Sequence, residues 1–283
     1  MFRHVIKIEL KLNTAVEDIL KKITQQTTAD LKLRKAANPL SKLREMPHYS
    51  RKTISLHDSI NNGSGIIAEH KRQSPSKGSF KCPASLEQVV KGYESAGASA
   101  ISCLTDEPFF GGTLQDLLDA RNFVEIPILR KDFIVDLYQV HEARAYGADA
   151  ILLIAACLND EELMTLSMET LNLDLDILFE VHDLEELNRI KKVTANFNCN
   201  RYVIGVNNRD LKKFETDIQI SKDLLPHFPK KALAISESGI SDPAVVKELK
   251  NLGYHGFLIG ENFMKTKNPG ASCKTFINEI QKS

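Results

Sequence analysis

The sequence predicts an α/β fold, a (β/α)8 barrel with an N-terminal helical extension, from three observations. Beyond about residue 65, eight short and nearly continuous apolar runs follow one another, as strands buried on both faces do. Polar stretches whose apolar residues recur at three- and four-residue steps separate them, the period of an amphipathic helix. The strand-plus-helix unit repeats every roughly 25 to 35 residues, the cadence of a closed TIM barrel rather than of an open sheet.

Taken in order, residues 1–60 form the extension and 61–283 the barrel, the catalytic domain. Ile6, Ile8, Leu10 and Leu12 alternate with Lys7, Glu9 and Lys11, a strand-like period without an evident partner. "TAVEDILKKITQQTTADLKLRKA" then reads as an amphipathic helix covering one end of the barrel, with Thr14 as N-cap and Glu17 completing a capping box. The barrel runs are "GIIAE", "ASAISCL", "IPILRKDF", "ADAILLIAA", "LDILFEV", "RYVIGVNN", "ALAISES" and "GFLIG". Among the helical stretches are "SLEQVVKGYESAGA", "LQDLLDARNF", "LYQVHEARAYGA", "DLEELNRIKKV" and "DPAVVKELKNLGY"; several end in Gly, the common helix C-terminal residue.

Composition narrows the function. With 283 residues, 42% apolar and 26% charged, the chain is that of a soluble globular protein able to bury a sizeable core. Lys plus Arg equals Asp plus Glu, 37 each, so there is no basic field for nucleic acid or an acidic membrane. The five cysteines are widely spaced without a CxxC, which suggests neither a disulfide framework nor a zinc ribbon and fits a reducing cytoplasm. "MFRHVIKIELKLN" lacks the apolar core of a signal peptide, and no run reaches the length of a membrane span.

Chemistry is expected where βα loops converge, at the C-terminal ends of the strands. Read to their ends, the runs deliver Glu69 and Lys71, then Lys131, Glu180, Asn207, and Glu237 with Ser238. Strand parity puts Ile67, Glu69 and Lys71 on one face, as it does Leu129, Lys131 and Phe133, Leu178 and Glu180, and Ile235 and Glu237. Any one of these could be a surface charge opening a loop, but all fall at one end of one barrel, and outward they would meet the apolar helix ring, where an unpaired charge is costly. Two lysines and three carboxylates in one mouth shift one another's proton affinity, and an ammonium crowded by another is expected to be the better acid. Gly239 after the seventh run and Gly260 after the eighth, before a short helix, stand where barrels commonly bind phosphate, and Ser74 in the first loop could close over the same anion. Phe109 and Phe110 beside a Gly111–Gly112 hinge, with Phe133, offer an aromatic pocket or simple core packing. His182 and Asp183 are adjacent without a spaced ligand set, so no metal is expected, and His141 and His48 read as surface or satisfied core histidines.

The blocks "IIAEHKRQSPSKG", "ISCLTDEPFFGG", "ILRKDFIVDLYQVHEARAYGADAILLI", "LFEVHD", "IGVNNRDL", "SESGI" and "FLIGENFM" resemble, in order, the motifs of indole-3-glycerol phosphate synthase, from about residue 14 to 265. The resemblance implies a cytoplasmic carboxy-lyase of tryptophan biosynthesis. Such an enzyme closes the indole ring of 1-(2-carboxyphenylamino)-1-deoxyribulose 5-phosphate with loss of carbon dioxide and water, using no cofactor and no metal. It implies Lys131 as general acid and Glu180 as its partner acid/base. Glu69 and Lys71 stand where the ammonium meets the substrate carboxylate, and Asn207 and Glu237 fix hydroxyls and support the lysines. Ser74, Ser238, Gly239, Gly260 and the backbone of Glu261 resemble the phosphate site, and Phe110, Phe133 and Leu211 the walls around the ring. Leu137 stands where Pro is usual and Gln73 where a small residue or Lys is common, and the chain has no Trp. The expected partner is a small phosphorylated molecule, with neither nucleic acid nor membrane, and the expected state a monomer or weak homodimer. Two other readings remain: a related phosphoribosyl isomerase, which would not need two strand-end lysines, and a barrel that binds a phosphorylated metabolite without turnover.

Overall fold

The computed structural model of the protein describes residues 2–75, 78–210 and 215–282. Each of the eight apolar runs is a strand: β1 (Ile66–His70), β2 (Ala100–Leu104), β3 (Ile128–Lys131), β4 (Ala150–Ile154), β5 (Asp176–Val181), β6 (Tyr202–Asn207), β7 (Leu233–Glu237) and β8 (Gly256–Ile259). Neighbours pair in parallel in the order of the chain, and β1 pairs with both β2 and β8, so the sheet closes and exposes no edge. The period of two then divides the apolar residues between two cores. Ile67, Leu129, Leu152, Leu178, Val203, Ile235 and Leu258 fill the barrel, while Ile66, Ile101, Ile128, Leu153, Phe179, Ile204 and Phe257 pack outward against the helices.

The helices are α1 (Phe2–Ala37), α2 (Leu40–Arg44), α3 (Leu56–Asn62), α4 (Leu86–Ser95), α5 (Glu107–Phe110), α6 (Leu114–Phe123), α7 (Leu137–Ala145), α8 (Asp160–Asn172), α9 (Leu184–Thr194), α10 (Gln219–Leu224), α11 (Pro243–Leu252), α12 (Glu261–Met264) and α13 (Pro269–Gln281). Side-chain caps start many of them: Ser85 for α4, Thr113 for α6, Asp136 for α7, Asn159 for α8 and Asp183 for α9. Each cap satisfies an otherwise orphaned N–H and stabilises by about 1 kcal/mol. Leu137 is the first residue of α7, behind its Asp136 cap, a position whose N–H needs no partner within the helix and so accommodates the family's Pro as well as Leu. Gly97, Gly147 and Gly253 follow α4, α7 and α11 with φ of 88°, 89° and 122°.

The N-terminal segment departs from expectation. Helix α1 already begins at Phe2, so the alternating residues 6–12 are helical, and Thr14 and Glu17 lie inside a helix rather than at its start. No Gly or Pro interrupts the chain before Pro39, and Ile6 with Leu10, and Ile8 with Leu12, fit four-residue spacing as well as two. Pro39 disfavours helical geometry at Asn38 and ends the run. The C-terminal half of α1 is fastened to the barrel by charge: Arg34 pairs with Glu142 of α7, and Lys35 with Asp136 at 2.7 Å. Glu142 also meets Arg130 of β3 at 2.9 Å, and Arg130 reaches Asp132 at 2.8 Å. Arg130 and Asp132 flank Lys131 in sequence, so this buried chain of charges grips the strand end that carries the lysine.

Candidate active site

The strand ends converge on a cavity of about 720 Å³ at the mouth of the barrel. Glu69, Lys71, Lys131, Glu180, Asn207, Glu237 and Ser238 all line it, as inward parity requires. Lys131 Nζ lies 2.7 Å from Glu180 Oε2 and 2.6 Å from Glu237 Oε2. Asn207 Nδ2 donates to Glu180 Oε1 at 3.1 Å. On the neighbouring wall Lys71 Nζ sits 2.8 Å from Glu69 Oε1, and Ser102 Oγ donates to Glu69 Oε2 at 3.2 Å. Lys71 Nζ also lies 5.8 Å from the centre of the Phe80 ring, within cation–π range.

These contacts fix the electrostatics. Burial alone would loosen the proton on Lys131, but the charges of Glu180 and Glu237 outweigh it and hold the ammonium pKa above its ordinary value. The expectation of an ammonium made more acidic by a neighbouring one is therefore overturned: two carboxylates, not Lys71, are the nearest charges to Lys131. The carboxylates themselves diverge. Burial raises Glu180, but Lys131 and His182 together pull it below the usual carboxylate range. Glu237 is raised by burial and by the charge of Glu180, more than Lys131 can offset. One ammonium between two buried carboxylates thus favours a state with one carboxylate ionised and the other ready to carry a proton.

Glycines make room for this arrangement. A Cβ on Gly205 of β6 would come 2.0 Å from Glu237 Oε1, and one on Gly260 would come 2.5 Å from Glu69 Oε1 and 2.9 Å from its Cβ. Ser74, Ser238, Gly239, Gly260 and Glu261 also line the cavity. Ser238 and Gly239 both have left-handed backbones, φ 66° and 73°. A serine held there is strained, and such strain persists where the surrounding structure enforces it, often at ligand sites. Phe110 and Phe133 line it too, with ring centres 6.2 Å apart. Leu211 lies outside the described residues. The Gly111–Gly112 pair is a packed turn rather than a hinge: Gly111 closes α5 at φ 66°, and a Cβ on Gly112 would come 2.0 Å from the Leu104 carbonyl oxygen.

Several cavity residues carried no signal in the sequence. Ile19, Leu20 and Ile23 of α1 form an apolar wall, visible only once the helix is docked. Arg209 and Thr216, paired in a short antiparallel hairpin after β6, also line the cavity, as do Ser241 in the loop after β7 and Lys265 at the end of α12. His182 falls beside Glu180, with Nε2 3.4 Å from Glu180 Oε1, and its place just past the end of β5, two residues after Glu180, was the available clue. Asp183 is occupied as the cap of α9. His141 is a satisfied core histidine, its Nδ1 2.6 Å from Tyr49 Oη and its Nε2 3.1 Å from Glu169.

Paired acids and lysines share the cavity with serines and glycines, a lining that suits a small phosphorylated molecule. Solved structures share the barrel at low identity: 3-hexulose-6-phosphate synthase from Salmonella typhimurium has a TM-score of 0.60 at 11% identity, covering 76% of this chain and 98% of that one. KGPDC from Streptococcus mutans has a TM-score of 0.57 at 12% identity, covering 78% and 98%. These likenesses show the fold alone. Sequence relatives are far closer. The indole-3-glycerol phosphate synthase of Bacteroides thetaiotaomicron is 45% identical over 267 residues, 94% of this chain and 100% of the relative. That of Aliarcobacter butzleri is 42% identical over 267 residues, 93% of this chain and 99% of the relative. The indole-3-glycerol phosphate synthase family model matches residues 20–276, which span α1 from its cavity-lining turns, every barrel strand and most of α13; the chain belongs to that family.

Proposed function

We propose that this protein is an indole-3-glycerol phosphate synthase, converting 1-(2-carboxyphenylamino)-1-deoxyribulose 5-phosphate to indole-3-glycerol phosphate, carbon dioxide and water. The observation that carries the reading is Lys131 clamped between Glu180 and Glu237 in a cavity that Phe110, Phe133 and the Ser238–Gly239 turn also line. The phosphate binds along Ser74, Ser238, Gly239, Gly260 and the Glu261 backbone. The aryl ring lies against Phe110, Phe133 and the α1 wall, and Lys71 meets the carboxylate. Anchoring both ends presses the ring carbon onto the sugar carbonyl, and much of the rate comes from that enforced proximity.

Lys131 protonates the carbonyl oxygen as the new carbon–carbon bond forms. A tightly held ammonium proton suffices, because the alkoxide that would otherwise develop is a stronger base than an amine. The ring carboxylate then departs as carbon dioxide, leaving its bonding electrons to restore the ring. In the last step the new hydroxyl leaves as water while Glu180 handles the protons, with Asn207 and Glu237 holding hydroxyls and lysine in register. Glu69 orients Lys71 through its 2.8 Å pair.

Residues 1–60 serve as an extension over the 61–283 barrel, and the molecule works as a monomer or weak homodimer in the cytoplasm, in keeping with its five unpaired cysteines. Among the described residues no helix is long and apolar enough to cross a membrane. The test is direct: purified protein mixed with the carboxyphenylamino sugar phosphate should generate indole fluorescence. Protein that binds this compound without turning it over would sink the enzymatic reading in favour of a metabolite-binding barrel.

A further inference from the structure

His182 is a buried titratable group beside the catalytic cluster to which the proposed reaction assigns no work. It follows directly on β5, which ends at Val181, and its ring lies against Glu180 behind the cavity lining. Its setting is built from both sides. Glu186, in the first turn of α9, accepts the His182 backbone N–H at 2.7 Å on the same Oε2 that lies 3.2 Å from the ring Nδ1. The Nδ1 proton is thereby committed to Glu186, which fixes the ring plane. Asp183 caps the Glu186 N–H at 2.8 Å and so fixes Glu186 in turn. The far nitrogen, Nε2, is buried with no hydrogen-bond partner. It points at Glu180 Oε1 across 3.4 Å, too long for a hydrogen bond and short enough for an ion pair.

A buried Nε2–H donor left unmade is costly unless something brings it a partner. The charges around it are arranged for a cation. Glu186 on α9, Glu180 on β5 and Glu237 on β7 all raise its proton affinity and outweigh the burial that lowers it. Cys157, on the turn after β4, stays neutral, since burial lifts its thiol to about 12. Lys131 holds the opposite oxygen of Glu180, Oε2, and Asn207 shares Oε1. Glu180 is therefore held by Lys131 and Asn207, and the His182 contact is still open.

We propose that His182, locked by Glu186, is a positioning residue that keeps the Glu180 carboxylate oriented and ionised and closes onto Oε1 when substrate enters. This rests on the synthase reading and deepens it. Because His182 touches Glu180 and not the substrate, its loss acts on kcat rather than KM. Without the imidazolium, Glu180 takes up a proton at higher pH, so the acidic limb of the rate profile moves upward.

The experiment compares wild type, His182→Gln and Glu186→Gln across pH 5–9 with the carboxyphenylamino sugar phosphate, alongside an NMR titration of the histidine ring protons in the ligand-free proteins. For His182→Gln the expected results are a kcat lowered about tenfold, a KM within about twofold of wild type, and an acidic limb shifted up by roughly one pH unit. Glu186→Gln, which keeps the histidine but loosens it, should give a smaller shift in the same direction. In the NMR titration one ring should titrate above the ordinary histidine value and drop in Glu180→Gln. An unmoved acidic limb in a folded His182→Gln protein, or a His182 ring indifferent to Glu180→Gln, would overturn the proposal. Because the titration needs no turnover, an inactive wild type would count against the synthase reading without being mistaken for failure of the His182 contact.

Discussion

Lys131 carries consequences for stability as well as for chemistry. Its removal in Lys131→Met leaves Glu180 and Glu237 buried, like-charged and without their common cation. Indole formation should be abolished. The variant should also change its response to pH: both carboxylates then have folded-state pKa values above their unfolded ones, so their contribution favours folding at low pH and is lost as pH rises through the raised values. Urea denaturation should show the deficit relative to wild type growing from pH 5 to pH 8, to about 3–5 kcal/mol. A deficit that is flat with pH would mean the pair is relieved by solvent. His70 gives the opposite slope. It faces the outer core, 4% exposed, and burial lowers its pKa to about 4. The unfolded chain binds that proton near 6.5, so the stability held by neutral His70 is present above about pH 6.5 and lost as pH falls toward 4, about 3 kcal/mol in all. His70→Gln should flatten the stability profile over that window while leaving it unchanged above.

Single strands contribute more than scaffolding. Gly205 sits inside β6 where most strands would carry a side chain, and its bareness is what admits the Glu237 carboxylate from β7. Gly205→Ala should push Glu237 off Lys131. The displaced atom is the end of a flexible side chain, so the fold survives. The expected reading is a kcat reduced by one to two orders of magnitude with a melting temperature within a few degrees of wild type, an estimate scaled to the loss of one positioned hydrogen bond. If kcat is unchanged, Glu237 has no positional role. Strand β3 is held in the same spirit by the buried Arg34–Glu142–Arg130–Asp132 chain, which links a helix far away in sequence to the two neighbours of Lys131.

For the molecule as a whole, the barrel supplies the charges and α1 the lid-side wall. Ile23 is 3% exposed and belongs to the barrel's inner cluster as well as to the cavity lining. Ile23→Ser should raise KM for the aryl substrate by about tenfold, from lost apolar contact of about 1–2 kcal/mol, and change kcat less. A KM that does not move would show that the ring binds elsewhere. A net charge of zero over 37 cations and 37 anions leaves capture of the anionic substrate to short-range contacts rather than to a long-range field.

The sequence by itself determined the eight strands, the inward parity of Glu69, Lys131, Glu180 and Glu237, and the glycines at the seventh and eighth strand ends. Each follows from a local rule: a two-residue period, a run buried on both faces, a turn that needs a bare backbone. Tertiary structure decided what no local rule contains. The docking of α1 at the mouth depended on Arg34 finding Glu142, a partner far along the chain. The proton affinity of Lys131 depended on which charges closure brought nearest, and those proved to be carboxylates. The reach of His182 toward Glu180 depended on Glu186 turning its ring. Electrostatics in a buried site is set by distances of a few ångströms between residues distant in sequence, and only the closed barrel fixes them.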